Sequence, residues 1–176
     1  MTGRQEGFTL TELLVVTLVL AIALTLGATA FTHYWKVRAL SGAVDEVVTE
    51  LRGEQQDAST QTHPWVWGAW FKPNSSEWGT LRAHALTGVC EIKSRRTFSS
   101  GVRVASASFS DVTSPNISAL CATQADPAAA AGIEVVVFFA RGTATGGTVS
   151  LSHPSVNGGA PRTITVAPMT GRVTRP

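Results

Sequence analysis

A single long apolar segment near the N-terminus is the strongest constraint on how this chain can fold. It reads GFTLTELLVVTLVLAIALTLGATAF over residues 7–31, and between Phe8 and Phe31 the only ionisable side chain is that of Glu12. About 20 predominantly apolar residues are enough to cross the hydrocarbon core of a bilayer. The sequence therefore predicts a transmembrane helix over residues 8–31.

The acidic residue inside this segment requires an explanation. An ionised carboxylate within a membrane helix costs about 2.5–3.5 kcal/mol on insertion scales, so we expect a cation to pair with Glu12. Two simpler interpretations remain. One is a plain membrane anchor with Glu12 at the interface, and the other is a secretory signal peptide that ends at Ala28-Thr29-Ala30. The length of the apolar segment, and an acid where a signal peptide needs positive charge, count against the second.

The residues before the helix indicate its orientation. Basic residues that precede a membrane helix keep that end in the cytoplasm, although Arg4 is partly offset by Glu6. We therefore expect a single-pass protein with its N-terminus inside and its C-terminus outside.

The start of the apolar segment also carries a family resemblance. A short polar leader ends in Gly7, and Phe8 and the residues TLTELLVV follow. This pattern resembles the class III signal of type IV pilins and type II secretion pseudopilins. The resemblance implies cleavage between Gly7 and Phe8 by a prepilin peptidase and N-methylation of the new Phe8 amine. It also implies that Glu12 pairs with the terminal amine of a neighbouring subunit.

The same resemblance implies a location and a set of partners. The chain is expected in the bacterial inner (cytoplasmic) membrane, and later in an extracytoplasmic filament. Its expected partners are other pilin or pseudopilin subunits and the prepilin peptidase/N-methyltransferase.

Beyond residue 31 the apolar residues become periodic, at steps of three and four. Such spacing predicts an amphipathic continuation of the helix over residues 32–60. The apolar positions are Val37, Leu40, Val44, Val47, Val48 and Leu51. We expect solvent to cover the opposite, charged face, with Lys36, Arg38, Asp45, Glu46, Glu50, Glu54 and Asp57. Gly27, within the apolar segment, is either a point of bending or a site of close packing.

Residues 61–176 have the composition of a β-rich domain. Strands are predicted at residues 64–71, 79–85, 101–109, 133–139, 148–152 and 162–166. The most apolar of them, 133–139, is predicted to be a central strand. The expected fold class is α+β, pilin-like: a long N-terminal transmembrane and amphipathic helix, followed by an antiparallel β-sheet that packs on its second half.

The C-terminal residues carry a second resemblance. They read VFFARG at 137–142, then a glycine-rich turn, TVSL at 148–151, RTITV at 162–166 and TGRV at 170–173. This series is similar to the C-terminal signature of the GspH/FimT group of minor pilins and pseudopilins. The two resemblances leave the region between them to be interpreted from its residues alone.

Cysteine and histidine usage gives no sign of a catalytic or metal site. Cys90 and Cys121 belong to no metal-binding motif, and in an exported domain they favour an intrachain disulfide. No nucleophile elbow, phosphate-binding loop or metalloprotease motif is present. Four histidines lack metal-ligand spacing: His33, His63, His84 and His153. We therefore expect no enzyme activity, no cofactor and no bound metal.

Four tryptophans surround a predicted hairpin turn, KPNSS, at residues 72–76. They are Trp65, Trp67, Trp70 and Trp78. The favoured interpretation is a packed core, in which cross-strand aromatic pairs stabilise the sheet. The alternative is a stacking platform for single-stranded nucleic acid.

Arg162, Arg172 and Arg175 are candidate contacts for DNA. FimT-like minor pilins linked to DNA uptake carry a C-terminal motif with one residue between two arginines, which GRVTR at residues 171–175 resembles with two residues between them. In an extended tail that difference places the second guanidinium on the opposite side. The simpler interpretation is a solvated basic end that closes the sheet.

Together these features predict a minor pseudopilin or pilin, a structural subunit of a type II secretion pseudopilus or of a type IV pilus-like filament. The alternative is a DNA-binding minor pilin for natural transformation. The expected organisation is a leader at residues 1–7, a transmembrane helix at 8–31, its amphipathic continuation at 32–60 and a β-rich globular domain at 61–176.

Overall fold

The structure is a computed structural model that describes residues 9–60, 64–87, 89–110, 121 and 132–175. The chain divides into two compact units, Met1–Trp35 and Lys36–Pro176. Helix α1 (Leu10–Thr60) contributes residues to both. The predicted leader, including Gly7, and the first predicted helical residue, Phe8, lie outside the described residues.

The first unit consists, in its described part, of the apolar half of α1. Its helix is long and apolar enough to cross a membrane by length and composition, with a mean hydropathy of 2.5 over 18 residues, none of them buried. The helix continues through Gly27, where an added Cβ would meet no other atom within 4 Å. Close packing within the described chain therefore does not explain this glycine.

In the second unit, α1 buries the predicted apolar face. Leu40, Val44, Val47 and Leu51 are at most 3% exposed. A side chain of this size contributes about 1.5–3 kcal/mol when it is fully removed from water. This face of the helix therefore supplies one wall of the core.

Nine strands are described in the second unit: β1 (Trp65–Phe71), β2 (Glu77–His84), β3 (Cys90–Ile92), β4 (Arg96–Thr97), β5 (Arg103–Phe109), β6 (Glu134–Phe138), β7 (Gly147–Ser152), β8 (Arg162–Val166) and β9 (Val173–Thr174). They form two antiparallel sheets, with the orders β3-β2-β1-β6, where β4 also pairs with β2, and β5-β7-β8-β9. The predicted α+β class, a long helix followed by antiparallel β-structure, is confirmed, and the strands are divided between two sheets.

Strand β6 lies at the end of its sheet rather than at the centre, so the prediction of a central strand is wrong. Its outer edge is nevertheless occupied. Val137 donates its N–H to Thr145 Oγ1 at 2.8 Å, and the Thr145 N–H donates to the Val137 carbonyl at 2.9 Å. Both faces of β6 are buried. The sequence resembled a central strand because burial on two faces, and not the number of paired neighbours, makes a strand continuously apolar.

The first sheet separates two hydrophobic cores. On β1, Trp67 and Phe71 point into the helix-side core, which α1 and both sheets share, whereas Val66 and Trp70 point into a second core on the opposite face. This alternation follows from the two-residue period of a strand. Where β1 and β6 meet, Gly68 leaves no room for a Cβ against the Val136 carbonyl.

A disulfide closes the second core. Cys90 on β3 is bonded to Cys121, with a Cα–Cα distance of 5.3 Å, and both residues are almost fully buried. The core also contains Trp70, Leu81 and Val135. The disulfide therefore fixes Cys121 over the face of the sheet that is turned away from α1.

A basic segment, Lys93–Arg96, docks on the acidic face of α1. Lys93 Nζ lies 2.9 Å from Glu54 Oε1 and 3.5 Å from Asp57 Oδ2. Arg96 lies 3.2 Å from Glu46 and 2.5 Å from Glu50. The expectation that solvent covers this face is wrong for Glu54, whose side chain is 5% exposed, whereas the side chains of Glu46 and Asp57 are 46% exposed.

Glu54 is the most buried of the four acids. Its side chain is 5% exposed, and among the described residues its Oε2 has no hydrogen-bond partner. Burial raises the pKa of the Glu54 carboxyl, and the hydrogen bond and charge of Lys93 offset only part of that rise. The ionised form of Glu54 is therefore less favourable in the folded protein than in the unfolded chain.

This burial predicts a specific pH dependence. A carboxyl whose pKa is higher in the folded state than in the unfolded state binds more protons when folded. Its contribution to the free energy of unfolding therefore rises as the pH falls through the raised folded-state pKa towards the ordinary value of 4.5. Glu54→Gln should remove this rise when residues 36–176 are unfolded with urea at a series of pH values.

The control for this prediction is Glu91→Gln, the same change in an exposed ion pair with Arg82. Exposed pairs contribute about 0–1 kcal/mol to stability. We therefore expect the free energy of unfolding of this variant to change with pH as that of the wild type does. Parallel profiles for wild type and Glu54→Gln would contradict the prediction.

The disulfide predicts a measurable loss of stability on its removal. In the chain-entropy model, a crosslink between residues 31 apart contributes about 3–4 kcal/mol to the free energy of unfolding. We expect the double variant Cys90→Ala, Cys121→Ala to lose this amount in urea unfolding. Reductant should lower the midpoint of the wild type and leave that of the double variant unchanged. A wild-type midpoint insensitive to reductant would show that the crosslink does not stabilise the domain.

Candidate functional site

The carboxylate of Glu12 lies in the first turn of α1 and closes a capping box with Thr9. Glu12 Oε2 accepts hydrogen bonds from the Thr9 backbone N–H at 2.9 Å and from the Thr9 hydroxyl at 2.8 Å. In return, the Glu12 N–H donates to Thr9 Oγ1 at 3.3 Å. Because the first N–H groups of a helix lack intrahelical acceptors, this reciprocal pair satisfies two of them.

The capping role of Thr9 was missed in the sequence, although its signal is present. A threonine three residues before a glutamate at the start of an apolar run is the signature of a capping box. All of the bonds that the described residues make to the carboxylate use Oε2. No described residue donates a hydrogen bond to Oε1. The predicted cleavage site, Gly7 and Phe8, lies outside the described residues.

The three candidate DNA-contact arginines differ in their surroundings. Arg175 Nη1 donates to Asp45 Oδ1 at 2.8 Å, and Arg162 Nη1 donates to Ser41 Oγ at 2.9 Å. Both line a cleft of about 330 Å³ beside α1. Arg172 is exposed and lies in the turn before β9. The structure thus brings two of the arginines together and leaves the third apart.

These contacts assign a structural role to the C-terminal tail. Strand β9 pairs with β8, and Arg52 of α1 donates to the Val173 carbonyl at 3.4 Å. Arg175 and Arg52 therefore link the tail to α1, and Arg162 links β8 to the same helix. DNA contact stays a prediction, and none of these contacts supports it.

Three of the four hairpin tryptophans are core residues. Trp67, Trp70 and Trp78 are 6%, 2% and 0% exposed, which excludes them as stacking platforms in this conformation. Trp65 is half-buried, and its ring lies against Arg82, 4.8 Å from the guanidinium carbon. The favoured interpretation holds for the three buried rings.

No cluster of metal-ligating side chains stands out in the part of the chain that the structure describes. No group of three or more His, Cys, Asp or Glu residues there could hold a metal ion. The described histidines are dispersed: His84 Nδ1 accepts from the Thr87 N–H, and the buried His153 accepts from the Ser155 N–H.

Comparison with known proteins gives two findings. Residues 2–28 match the model of the prokaryotic N-terminal methylation motif. The fold is similar to the structure of the minor pseudopilin EpsH from the Type 2 Secretion System of Vibrio cholerae, with a TM-score of 0.52 and 9% identity, covering 78% of this chain and 95% of that chain. No curated protein matches the sequence.

The N-terminal motif and the fold together define a pilin-like protein, with an apolar N-terminal helix that fits a single-pass membrane anchor. The likeness in fold is to a minor pseudopilin. At 9% identity, the likeness to EpsH shows the fold and not the filament system.

Proposed function

We propose that this chain is a minor structural subunit of a pilus-like filament, and that Glu12 is its assembly residue. A single observation carries the proposal: an acidic side chain lies within the first turn of an apolar helix, inside a prepilin methylation motif. Prepilin peptidase would cleave after Gly7 on the cytoplasmic face and methylate the amine of Phe8. The helix would hold the subunit in the inner membrane, N-terminus inside, until the filament takes it up.

The hydrogen bonds of Glu12 indicate how one carboxylate can act both in the subunit before assembly and in the filament. Before assembly, the Thr9 capping box provides two donors to Oε2 and keeps the first turn of α1 intact. In the filament, the terminal amine of a neighbouring subunit would approach Oε1, so that the cap and the charge pair coexist. Removing one partner of a buried ion pair costs about 3–5 kcal/mol, which makes an unpaired subunit unfavourable in the packed filament.

Among filament systems, we place the chain in a type II secretion pseudopilus. The likeness in fold to EpsH, a minor pseudopilin of such a system, supports this choice. The DNA-uptake alternative would need its arginines free to contact phosphates. Arg162 and Arg175 instead contact Ser41 and Asp45, although the Arg175 side chain is 64% exposed.

The test of this function separates the charge of Glu12 from its capping role. Glutamine also closes a capping box, so Glu12→Gln should keep the first turn of α1 and remove only the charge. We expect the variant to insert into the membrane and to be cleaved, but to enter the filament about tenfold less than wild type, or worse, since 1.4 kcal/mol already corresponds to a factor of ten. The measurement is cross-linking to neighbouring subunits in cells that contain the complete filament system.

The matched control is Thr9→Ala, which removes the cap and keeps the charge. A lost cap costs about 1 kcal/mol of helix stability, and we expect this variant to enter the filament nearly as well as wild type. Normal incorporation of Glu12→Gln would show that the carboxylate charge has no assembly role. An equal defect in Thr9→Ala would show that assembly requires the intact capping box as much as the charge of Glu12.

A further inference from the structure

Three aromatic side chains end the apolar stretch of α1 and form one exposed patch. Phe31, Tyr34 and Trp35 are 62%, 55% and 54% exposed. The Phe31 and Tyr34 rings meet the Trp35 ring edge-on, at centroid distances of 5.8 and 6.3 Å. With 3.6 residues per turn, the three positions fall within about 100° of the helix circumference. They therefore present one aromatic surface, which we call the aromatic patch.

The exposure of these three side chains contrasts with the burial of large aromatic residues in the second unit. There Trp70, Trp78 and Phe71 are at most 2% exposed. Tyrosine and tryptophan pair an apolar ring with a polar O–H or N–H group, and they are enriched where an apolar medium meets water. An exposed cluster of both residue types, immediately after an apolar helix, has the composition of a bilayer boundary.

The length of the apolar stretch agrees with this position. At 1.5 Å per residue, the helix from Leu10 to Ala30 is about 32 Å long, and a hydrocarbon core is about 30 Å thick. The aromatic patch begins directly after Ala30, and Lys36, whose charge favours the headgroup region, follows it in sequence. Glu12 lies within the first turn at the opposite end of the same stretch.

We propose that the aromatic patch binds the lipid headgroup boundary at the extracytoplasmic face and thereby sets the depth of α1 in the bilayer. This inference rests on the proposed membrane-anchored function. With the patch at one boundary, Glu12 lies about 30 Å away, at the opposite boundary, where water and headgroups can solvate its carboxylate. The patch thus positions Glu12 in an ionised state until a neighbouring subunit supplies the cation.

The experiment measures the depth of Trp35 in phosphatidylcholine vesicles that contain the full-length protein. Spin-labelled lipids carry the quencher either near the headgroup or near the end of the acyl chain. Subtracting the emission of Trp35→Phe from that of wild type isolates Trp35 from the four other tryptophans. We expect the shallow quencher to remove more of this difference signal than the deep quencher does.

The matched control places a tryptophan at the middle of the same stretch. The variant Leu20→Trp, made in the Trp35→Phe background, should be quenched more by the deep label than by the shallow one. The opposite ranking at Leu20 would mean that the helix lies along the surface, and the proposal would then be wrong. Stronger quenching of Trp35 by the deep label would overturn it as well.

Two further outcomes separate this inference from the proposed function. If the protein floats with the vesicles but neither label quenches Trp35, the patch lies in water before assembly and is reserved for a neighbouring subunit, which overturns the inference alone. If the protein does not float with the vesicles, the membrane anchor itself is refuted, and the inference is refuted with it.

Discussion

The fold of the second unit depends on the burial of one face of α1 by two sheets. Leu40, Val47 and Leu51 share a single core with the inward faces of both sheets. Burial of large apolar side chains is the dominant favourable contribution to folding, so the sheets are placed where they can cover this face. The acidic residues on the flank of the helix form ion pairs with the Lys93–Arg96 segment, which carries the complementary charges.

The apolar N-terminal half of α1, by contrast, is exposed rather than buried. Its side chains are apolar on every side and have no core of their own among the described residues, as a membrane segment requires. In such surroundings a carboxylate is tolerated only with donors close by. Thr9 supplies two of them within the same turn, and both bonds use Oε2. On the proposed function, one helix would combine a membrane anchor, an assembly residue and a wall of the core.

Periodicity was sufficient to predict the helix, its buried face and the longer strands, because these properties depend on neighbours in the sequence. The strands β3, β4 and β9 were missed because two or three residues carry no recognisable alternation. The burial of Glu54 and the pairing of Arg175 with Asp45 were missed for a different reason. Each depends on a charge brought from far along the chain, which a local pattern does not encode. The capping box of Thr9 and Glu12, by contrast, could have been predicted from its spacing.

Maturation at the start of α1 decides most directly whether this protein is a pilin-like subunit. Mass spectrometry of the protein purified from its native membrane would give the mass of the mature chain and of its N-terminal peptide. A pilin-like subunit should begin at Phe8 and carry a methyl group on its terminal amine, with Glu12 retained four residues further on. A mature chain that begins at Phe31, directly after Ala28-Thr29-Ala30, would instead identify a secretory signal peptide. Such a chain would lack Glu12 and the apolar half of α1, and it could not assemble through them.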